Sequence, residues 1–175
     1  MRWFWYFGVY SFLGFLLEAA FARLTGGRPE RKCLLVIPLC PVYGLGACAV
    51  LLLPRWVQEL WPALFLLGGG AATAVEYAAA VFYERGLGVS FWDYRGLPGS
   101  VQGRVCLPFS AAWGVLSLVL VRWVHPLLQL RLAAIPWPVT LAAMAAVGAD
   151  MLVSSVLLRT QGDVRCLRWG RAQSA

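Results

Sequence analysis

Apolar residues dominate five long stretches of the chain, separated by short stretches rich in charge, glycine or proline. A helix needs about 20 mostly apolar residues to cross the hydrocarbon core of a bilayer. On that criterion we predict helices over 3–22, 33–53, 61–83, 105–124 and 137–158. The pattern indicates an all-α fold, a polytopic membrane protein with five transmembrane helices. We assign residues 1–160 to one integral-membrane domain and 161–175 to a basic cytoplasmic tail.

The composition agrees with insertion into a membrane. Hydrophobic residues make up 61% of the chain, charged residues make up 13%, and the mean hydropathy is +0.71. A soluble domain has roughly 45–50% apolar and about 25% charged residues. A net charge of +7 would suggest nucleic acid as the partner of a soluble protein. In a membrane protein, the positive net charge is better explained by basic residues that collect on one side of the membrane. We therefore expect the lipid bilayer as a partner and no nucleic acid.

Basic residues are distributed unequally between the two ends of the predicted helices. Four lie at one end, namely Arg2, Arg55, Arg122 and Arg131. Eleven lie at the other end, namely Arg23, Arg28, Arg31, Lys32, Arg85, Arg95, Arg104, Arg159, Arg165, Arg168 and Arg171. The excess of Lys and Arg marks the cytoplasmic side of a membrane protein. We therefore expect a protein of the cell membrane, with its N-terminus outside and its C-terminus in the cytoplasm.

The first apolar run has a second interpretation as a signal peptide. The tripeptide Ala20-Phe21-Ala22 fits the small-residue pattern of a cleavage site. However, only Arg2 precedes the run, and Glu18 lies where a signal peptide would be neutral. These two features favour a retained helix.

The reactive residue types give little support for catalysis or metal binding. The five cysteines are Cys33, Cys40, Cys48, Cys106 and Cys166. They are odd in number, fit no zinc spacing and fall mostly on the reducing side, which favours unpaired packing thiols. His125 is the only histidine, so a histidine-based triad or multi-histidine metal site within this chain is excluded. We expect no catalytic residue, no metal and no cofactor.

Two segments of the sequence resemble one another. Pro38-Leu39-Cys40-Pro41-Val42-Tyr43-Gly44 aligns with Pro108-Phe109-Ser110-Ala111-Ala112-Trp113-Gly114. The helix before each segment carries a glutamate near its inner end, Glu18 and Glu84. The pattern predicts two tandem helical hairpins of the same orientation plus a fifth helix, and parallel repeats of this kind occur in transporters. A chance match in so apolar a chain is the alternative.

The stretch Glu84–Arg104 is too rich in glycine, aromatic and charged residues to be a plain connector. It lies between two predicted helices on the cytoplasmic side. Arg104 opens the fourth helix, where it can meet an acid from a neighbouring helix. We therefore predict a cytoplasmic cap in which Glu84, Trp92, Asp93, Tyr94 and Arg104 form ion pairs or contact a partner.

Acidic residues within the predicted helices are the candidates for a functional site. At 1.5 Å per residue, Glu76 lies about 10 Å and Asp150 about 12 Å from the cytoplasmic ends of their helices. Glu18 lies one turn from its helix end, and Tyr83 shares a helix face with Glu76. An ionised acid at mid-bilayer costs about 2.5–3.5 kcal/mol or more unless it faces protein, water or a cation. We predict that these four residues belong to a substrate or ion pathway.

Two interpretations of the acids stay open. In the functional one, they line a polar cavity that binds a cation, a proton or an amine. In the structural one, they pair with Arg85, Arg104 or neighbouring hydroxyl groups and fasten helices together. The sequence does not separate the two for Glu76 and Asp150. For Glu18 and Glu84, closeness to the interface favours the structural role.

Several motifs together resemble one protein family. They are Tyr10-Ser11-Phe12-Leu13-Gly14-Phe15-Leu16-Leu17-Glu18, the Pro38–Gly44 segment, Glu76-Tyr77, Glu84, Phe91-Trp92-Asp93-Tyr94 and Gly103-Arg104-Val105-Cys106-Leu107. Over most of its length the chain resembles the CmpB-like type IV ABC-transporter permeases, which are grouped with uncharacterised animal transmembrane proteins. It departs from the family after Tyr94, where Arg95-Gly96-Leu97-Pro98-Gly99 replaces the expected serine and Pro-Phe-Asn.

The resemblance implies a permease subunit of unknown substrate. No G-x-x-x-x-G-K-[ST] phosphate loop occurs in the sequence, so an ATPase would be a separate chain. Five helices are few for a transporter, which implies a homo-oligomer or another membrane subunit. One alternative is a non-transporting scaffold or regulator that docks a partner through the 85–104 segment. A less favoured alternative is an intramembrane enzyme that acts on a lipid.

Overall fold

A computed structural model of the chain describes residues 1–26 and 33–167. Within these ranges the helices are α1 (Arg2–Leu24), α2 (Pro41–Leu51), α3 (Arg55–Glu59), α4 (Trp61–Leu87), α5 (Leu107–Leu132) and α6 (Trp137–Gln161). A short 3₁₀ turn, Val164–Leu167, follows α6. The same ranges contain no β-strand, only one antiparallel bridge between Val101 and Val105. The prediction of an all-α fold is confirmed.

Four of the described helices, α1, α4, α5 and α6, are long and apolar enough to cross a membrane. They correspond to four of the five predicted spans. Both α4 and α5 run past their predicted ends. Helix α4 continues through the π-helical stretch Tyr83–Leu87, and α5 continues to Leu132 after the π-helical stretch Leu120–Val124. At the end of α4, Gly88 has a φ of +71°, a left-handed conformation that favours glycine and stops the helix.

The second predicted helix, 33–53, is helical over only part of its length. Helix α2 covers Pro41–Leu51, and its 11 residues are too few to cross a bilayer alone. Pro41 begins the helix, where a missing N–H has no helical partner to lose. Pro38 and Pro41 both disfavour helical backbone at the residues before them. Residues 33–40 are therefore irregular, although Leu35 within them is fully buried.

Cys33 and Cys40 form a disulfide that closes this irregular segment, with their Cα atoms 4.9 Å apart. The prediction of unpaired packing thiols is therefore wrong for these two residues. The separation of the two cysteines suits a disulfide only because the chain between them folds back instead of forming a helix. Cys48 and Cys106 hold free thiols, as predicted.

The helices pack as two hairpins, α1 with α2 and α4 with α5, and α2 also packs against α4. Glycines allow the backbones of each hairpin to come close. A Cβ atom on Gly44 would lie 2.8 Å from Cδ2 of Phe7. A Cβ atom on Gly114 would lie 2.7 Å from Cδ2 of Phe65. The two hairpins therefore cross at equivalent points.

These contacts also define how the two hairpins correspond in sequence. Phe65 follows Phe7 by 58 residues, and the same spacing relates Glu76 to Glu18. The repeat predicted from the sequence pairs Glu18 with Glu84 instead. In the structure, the counterpart of Glu18 is Glu76, because the first helices of the hairpins align through their contacts with the glycines.

Helix α6 lies at the edge of the bundle. The Trp5 indole N–H donates to Thr140 Oγ1 at 2.9 Å, which fastens one end of α6 to α1. Near its middle, Asp150 accepts hydrogen bonds from residues of the 33–40 segment. Only 11% of its most apolar stretch is buried, so most of its surface is available to lipid or to another subunit.

Some features of the sequence-based predictions fall outside the described residues. They are Arg28, Arg31 and Lys32 between α1 and α2, and the last eight residues of the tail with Arg168 and Arg171. The predicted orientation in the membrane depends partly on these residues and stays a prediction.

Candidate functional site

A cavity of about 480 Å³ lies between the two hairpins and residues 88–106, which we call the cap. We name it the carboxylate cavity because Glu18 of α1 and Glu76 of α4 both line it. Its described lining is otherwise mostly apolar. The aromatic side chains in that lining are Phe21, Tyr43, Tyr83, Trp92, Tyr94, Phe109 and Trp113. Small-molecule sites typically have volumes of roughly 300–1,000 Å³, and this cavity falls in that range.

Glu76 is the most deeply buried acid of the cavity, with 5% of its surface exposed. The Tyr94 hydroxyl donates to Oε1 at 3.0 Å, and the Trp113 indole N–H donates to Oε2 at 3.0 Å. Burial, together with the nearby Glu76 carboxylate, raises the pKa of the Tyr94 phenol above its ordinary value. The phenol therefore keeps its proton and remains a donor. Glu76 thus joins α4 to the cap and to α5.

Glu18 has the same arrangement in the first hairpin. It is half-buried, and the Tyr43 hydroxyl donates to its Oε1 at 2.6 Å. Tyr43 directly precedes Gly44, and Trp113 directly precedes Gly114. Each hairpin therefore contributes one acid from its first helix and one aromatic donor from its second. The aromatic–glycine part of the predicted repeat therefore has a physical counterpart at this site, but the acid that matches Glu18 is Glu76 and not the predicted Glu84.

A second cavity, of about 280 Å³, is adjacent to the first, and we call it the apolar cavity. Along α1, the carboxylate cavity extends from Leu17 to Leu24 and the apolar cavity from Tyr10 to Leu17. Tyr43 and Trp113 line both, with their ring centroids 4.9 Å apart. These two rings therefore form part of the wall between the cavities.

The cap is fastened to the bundle chiefly through Arg104. Its Nη2 lies 2.6 Å from Glu84 Oε2, its Nε donates to the same oxygen at 2.9 Å, and its Nη1 donates to the Tyr77 hydroxyl at 3.1 Å. The Trp92 indole N–H donates to the Arg104 carbonyl oxygen at 2.8 Å. The backbone N–H of Tyr94 donates to the Gly103 carbonyl at 2.8 Å. These bonds hold Tyr94 where its hydroxyl reaches Glu76.

Asp93 has a local role in the cap and is exposed. Its Oδ1 accepts the backbone N–H of Arg95 at 2.9 Å, and its Oδ2 lies 3.2 Å from Arg95 Nε. A Cβ atom at position 103 would lie 2.7 Å from Asp93 Oδ1, so Gly103 leaves room for the turn. An exposed ion pair of this kind contributes about 0–1 kcal/mol to stability. Asp93 therefore shapes the turn beside Tyr94 without lining the cavity.

Asp150, in α6, lies apart from the other predicted pathway residues. Its two carboxylate oxygens accept the backbone N–H groups of Val36 and Ile37 at 3.3 and 3.1 Å. Asp150 is not among the described residues that line the carboxylate cavity. The side chain thus fastens the irregular 33–40 segment to α6 through backbone N–H groups, and not through Arg85, Arg104 or a hydroxyl group.

The structure therefore brings together three of the four predicted pathway residues, Glu18, Glu76 and Tyr83, and separates Asp150 from them. Tyr83 is buried, with its ring centroid 4.9 Å from that of Phe91 and 5.9 Å from that of Trp92. Reasoning from the sequence assigned no role to Tyr43 and Trp113. The repeated aromatic–glycine pair was the signal that could have identified them.

Over the described residues, helices of membrane-spanning length enclose a cavity with two hydrogen-bonded acidic side chains, which are features of a membrane protein with an internal polar site. The chain belongs to the family described as "Putative ABC-transporter type IV", whose model matches residues 5–157. The resemblance seen in the sequence motifs is thereby confirmed. Comparison with the curated proteins and with the solved structures finds no match.

Proposed function

We propose that this chain is a permease-like subunit of a membrane transporter and that the two adjacent cavities form its substrate path. The observation that carries the proposal is the matched pair of bonds, Tyr43 to Glu18 and Trp113 to Glu76, where the cavities meet. Acids inside membrane proteins typically mark substrate or ion pathways. Membership of a transporter family supports the same conclusion.

Tyr43 and Trp113 are suited to act as a gate between the cavities. Each ring is held by one hydrogen bond to one carboxylate, and the two rings contact each other. A ligand that binds the carboxylates competes with both hydrogen bonds and so weakens the hold on the rings. Occupancy of the carboxylate cavity would then favour the open position of the gate, because the ligand binds that state better.

In this proposal the chain crosses the cell membrane several times, with its N-terminus outside and the cap and C-terminus in the cytoplasm. Eleven of its fifteen basic residues support this orientation. Transport in such a family needs an ATPase, which we propose to be a separate chain that touches the cap. The exposed surface of α6 would contact a second copy or another membrane subunit. The proposal assigns no reaction to the chain itself.

The transport proposal is tested by solute exchange in cells that produce the chain. We expect the solutes depleted from or accumulated in the medium, measured by mass spectrometry, to differ from those of cells that lack it. Glu76→Gln and Glu18→Gln should abolish the difference while the protein is still present in the membrane. Glu59→Gln is the matched control, because Glu59 is an exposed acid outside both cavities. Identical profiles for the native and Glu76→Gln proteins would refute the proposal.

A scaffold that docks a partner through the cap is the second candidate, and one observation favours it. Leu97 and Val101 are apolar residues of the cap with 40% and 51% of their surfaces exposed. A docking surface predicts a partner whose co-purification survives Glu76→Gln and is lost with Leu97→Asp. Co-purification of an ATPase that is also lost with Leu97→Asp would instead support the transport proposal.

A further inference from the structure

The described lining of the carboxylate cavity contains two acidic side chains and no basic one. Glu18 and Glu76 accept their hydrogen bonds from neutral groups, the Tyr43 and Tyr94 hydroxyls and the Trp113 indole. The described residues that line the cavity include no Lys, Arg or His. Arg104, in the nearby cap, pairs with Glu84 instead. Since buried carboxylates are costly without a positive partner, the cavity favours a ligand that brings positive charge.

A divalent metal ion fits this cavity poorly. Ca²⁺ takes about six to eight oxygen ligands, and Mg²⁺ demands a near-octahedral shell of oxygen atoms. Over residues 1–26 and 33–167, no group of three or more His, Cys, Asp or Glu side chains could hold a metal ion. The cavity is also mostly apolar, and its volume of about 480 Å³ is much larger than a single ion requires. Its shape and lining suit a larger ligand.

Aromatic rings give the cavity walls that attract an organic cation. The Tyr43 and Trp113 rings lie 4.9 Å apart between centroids, and Tyr94 stacks on Phe109 at 4.7 Å. All four line the cavity together with the two acids. The negative face of an aromatic ring attracts a cation, and the attraction is stronger when both are shielded from water. Apolar substituents on such a cation would also be buried favourably against this lining.

We propose that the carboxylate cavity binds a bulky organic cation, such as a quaternary ammonium ion or a protonated hydrophobic amine. The charge lies between Glu18 and Glu76, and the apolar groups pack against the aromatic rings. The inference rests on the proposed function only in treating this ligand as the transported substrate. Binding itself requires no partner chain, so it is tested on the purified protein.

The experiment compares two probes of the same shape and opposite charge, tetraphenylphosphonium and tetraphenylborate. Each is titrated into the full chain in lipid nanodiscs, and the heat of the same titration into empty nanodiscs is subtracted. We expect saturable binding of tetraphenylphosphonium and none of tetraphenylborate. Saturable binding of both ions would mean that the site binds through apolar contacts alone and does not select for charge, which overturns the proposal. Binding of neither ion overturns it as well.

Variants test whether the named residues hold the charge. Glu18→Gln and Glu76→Gln keep the shape of the side chain, and each should weaken tetraphenylphosphonium binding about tenfold or more, as expected for a buried charge pair. Phe109→Leu removes one ring and should weaken binding about fivefold. Glu59→Gln, at an exposed acid, should leave the affinity unchanged. Equal affinity for the native and both glutamine proteins would overturn the proposal.

A measurement on the native chain keeps the proposal testable if a variant fails to fold. Tetraphenylphosphonium should raise the unfolding temperature in nanodiscs, because a ligand that binds only the folded state stabilises it. Tetraphenylborate should not raise it. A larger rise in unfolding temperature with tetraphenylborate than with tetraphenylphosphonium would contradict a positively charged ligand.

The same measurements separate this inference from the transport proposal. Glu76-dependent cation binding in a chain that leaves cellular solute exchange unchanged would support the site and refute transport. Solute exchange that depends on Glu76, in a chain that does not bind tetraphenylphosphonium, would support transport and refute the organic-cation site.

Discussion

Glu76 depends on donors that lie far from it along the chain. Tyr94 follows it by 18 residues and Trp113 by 37. Removal of a donor leaves a buried carboxylate oxygen without its partner, so the cost includes the desolvation of that oxygen as well as the lost bond. Glu18, which is half-buried and has Tyr43 as its donor, should be less sensitive.

We expect Trp113→Phe to lower the free energy of unfolding by about 1–3 kcal/mol, because a buried oxygen of Glu76 is left without its hydrogen-bond donor. Denaturant unfolding in detergent micelles measures the change. Trp123→Phe is the control, since Trp123 is 51% exposed and its ring contacts that of Trp61 near the other end of α5. A loss as large for Trp123→Phe as for Trp113→Phe would contradict the role assigned to the bond with Glu76.

The hairpin crossings depend on single glycines. We expect Gly114→Ala to destabilise the fold by about 1–3 kcal/mol, the usual cost of overpacking. The added methyl would lie 2.7 Å from Phe65 Cδ2 and 2.8 Å from the Phe65 carbonyl oxygen. Gly70→Ala, in α4, should cause no loss, because the methyl added there would meet no described neighbouring atom within 4 Å. Thermal unfolding of both variants in nanodiscs provides the comparison, and equal melting temperatures would rule out a tight crossing at Gly114.

Among the helices, α4 combines most of the functional features. It carries Glu76 and Tyr83 on the cavity, contacts α2 and α5 on its sides, and ends beside the cap with Glu84. Because Arg104 of the cap binds Glu84 and Tyr77 of α4, the position of Tyr94 above the cavity depends on this helix end. The cap and α4 therefore act as one unit.

Arg104→Gln should loosen the cap, because the pair it breaks is largely shielded from water. The exposed fractions of the paired side chains are 16% for Arg104 and 33% for Glu84. We expect faster amide hydrogen exchange across residues 92–104, measured by mass spectrometry. Arg95→Gln is matched in chemistry but breaks a pair with exposed fractions of 82% and 52%. It should change the exchange little, since exposed pairs contribute about 0–1 kcal/mol. The reverse order would show that Arg104 does not fasten the cap.

For the molecule as a whole, the two hairpins leave much apolar surface uncovered. The four long helices bury between 11% and 33% of their most apolar stretches against the rest of the described chain. A soluble protein would not expose so much apolar surface. The remaining apolar faces of these helices are therefore suited to contact lipid or further subunits. The polar contacts are concentrated in the interior and at the helix ends.

Orientation in the membrane is tested by labelling introduced thiols. We expect a membrane-impermeant maleimide to label Gln129→Cys in intact cells, because the basic residues assign that end of α5 to the outside. Leu97→Cys, on the cap, should be labelled only after the cells are permeabilised. The parent chain measures the background from its own cysteines. Labelling of Leu97→Cys in intact cells would show that the cap faces the outside, which contradicts the predicted orientation.

The extent of each apolar run predicted α1, α4, α5 and α6 well, since a membrane-length helix depends on the local composition of one continuous stretch. The same criterion was wrong for 33–40, because Pro38 and Pro41 prevent helical backbone there although the residues are apolar. It also placed Cys33 and Cys40 in one straight helix, where they could not have reached each other. The family was recognisable from motifs because motifs keep their order along the chain.

The sequence by itself determined that the chain is helical, that its helices are apolar enough to cross a membrane and that three of its acids, Glu18, Glu76 and Asp150, lie within apolar helices. Those properties follow from residue types and spacing within single stretches. Only the tertiary structure decided that Glu76, and not Glu84 or Asp150, shares a cavity with Glu18. The reason is that two carboxylates on different helices meet only through the crossing points of those helices, and these depend on contacts such as Gly44 with Phe7 and Gly114 with Phe65.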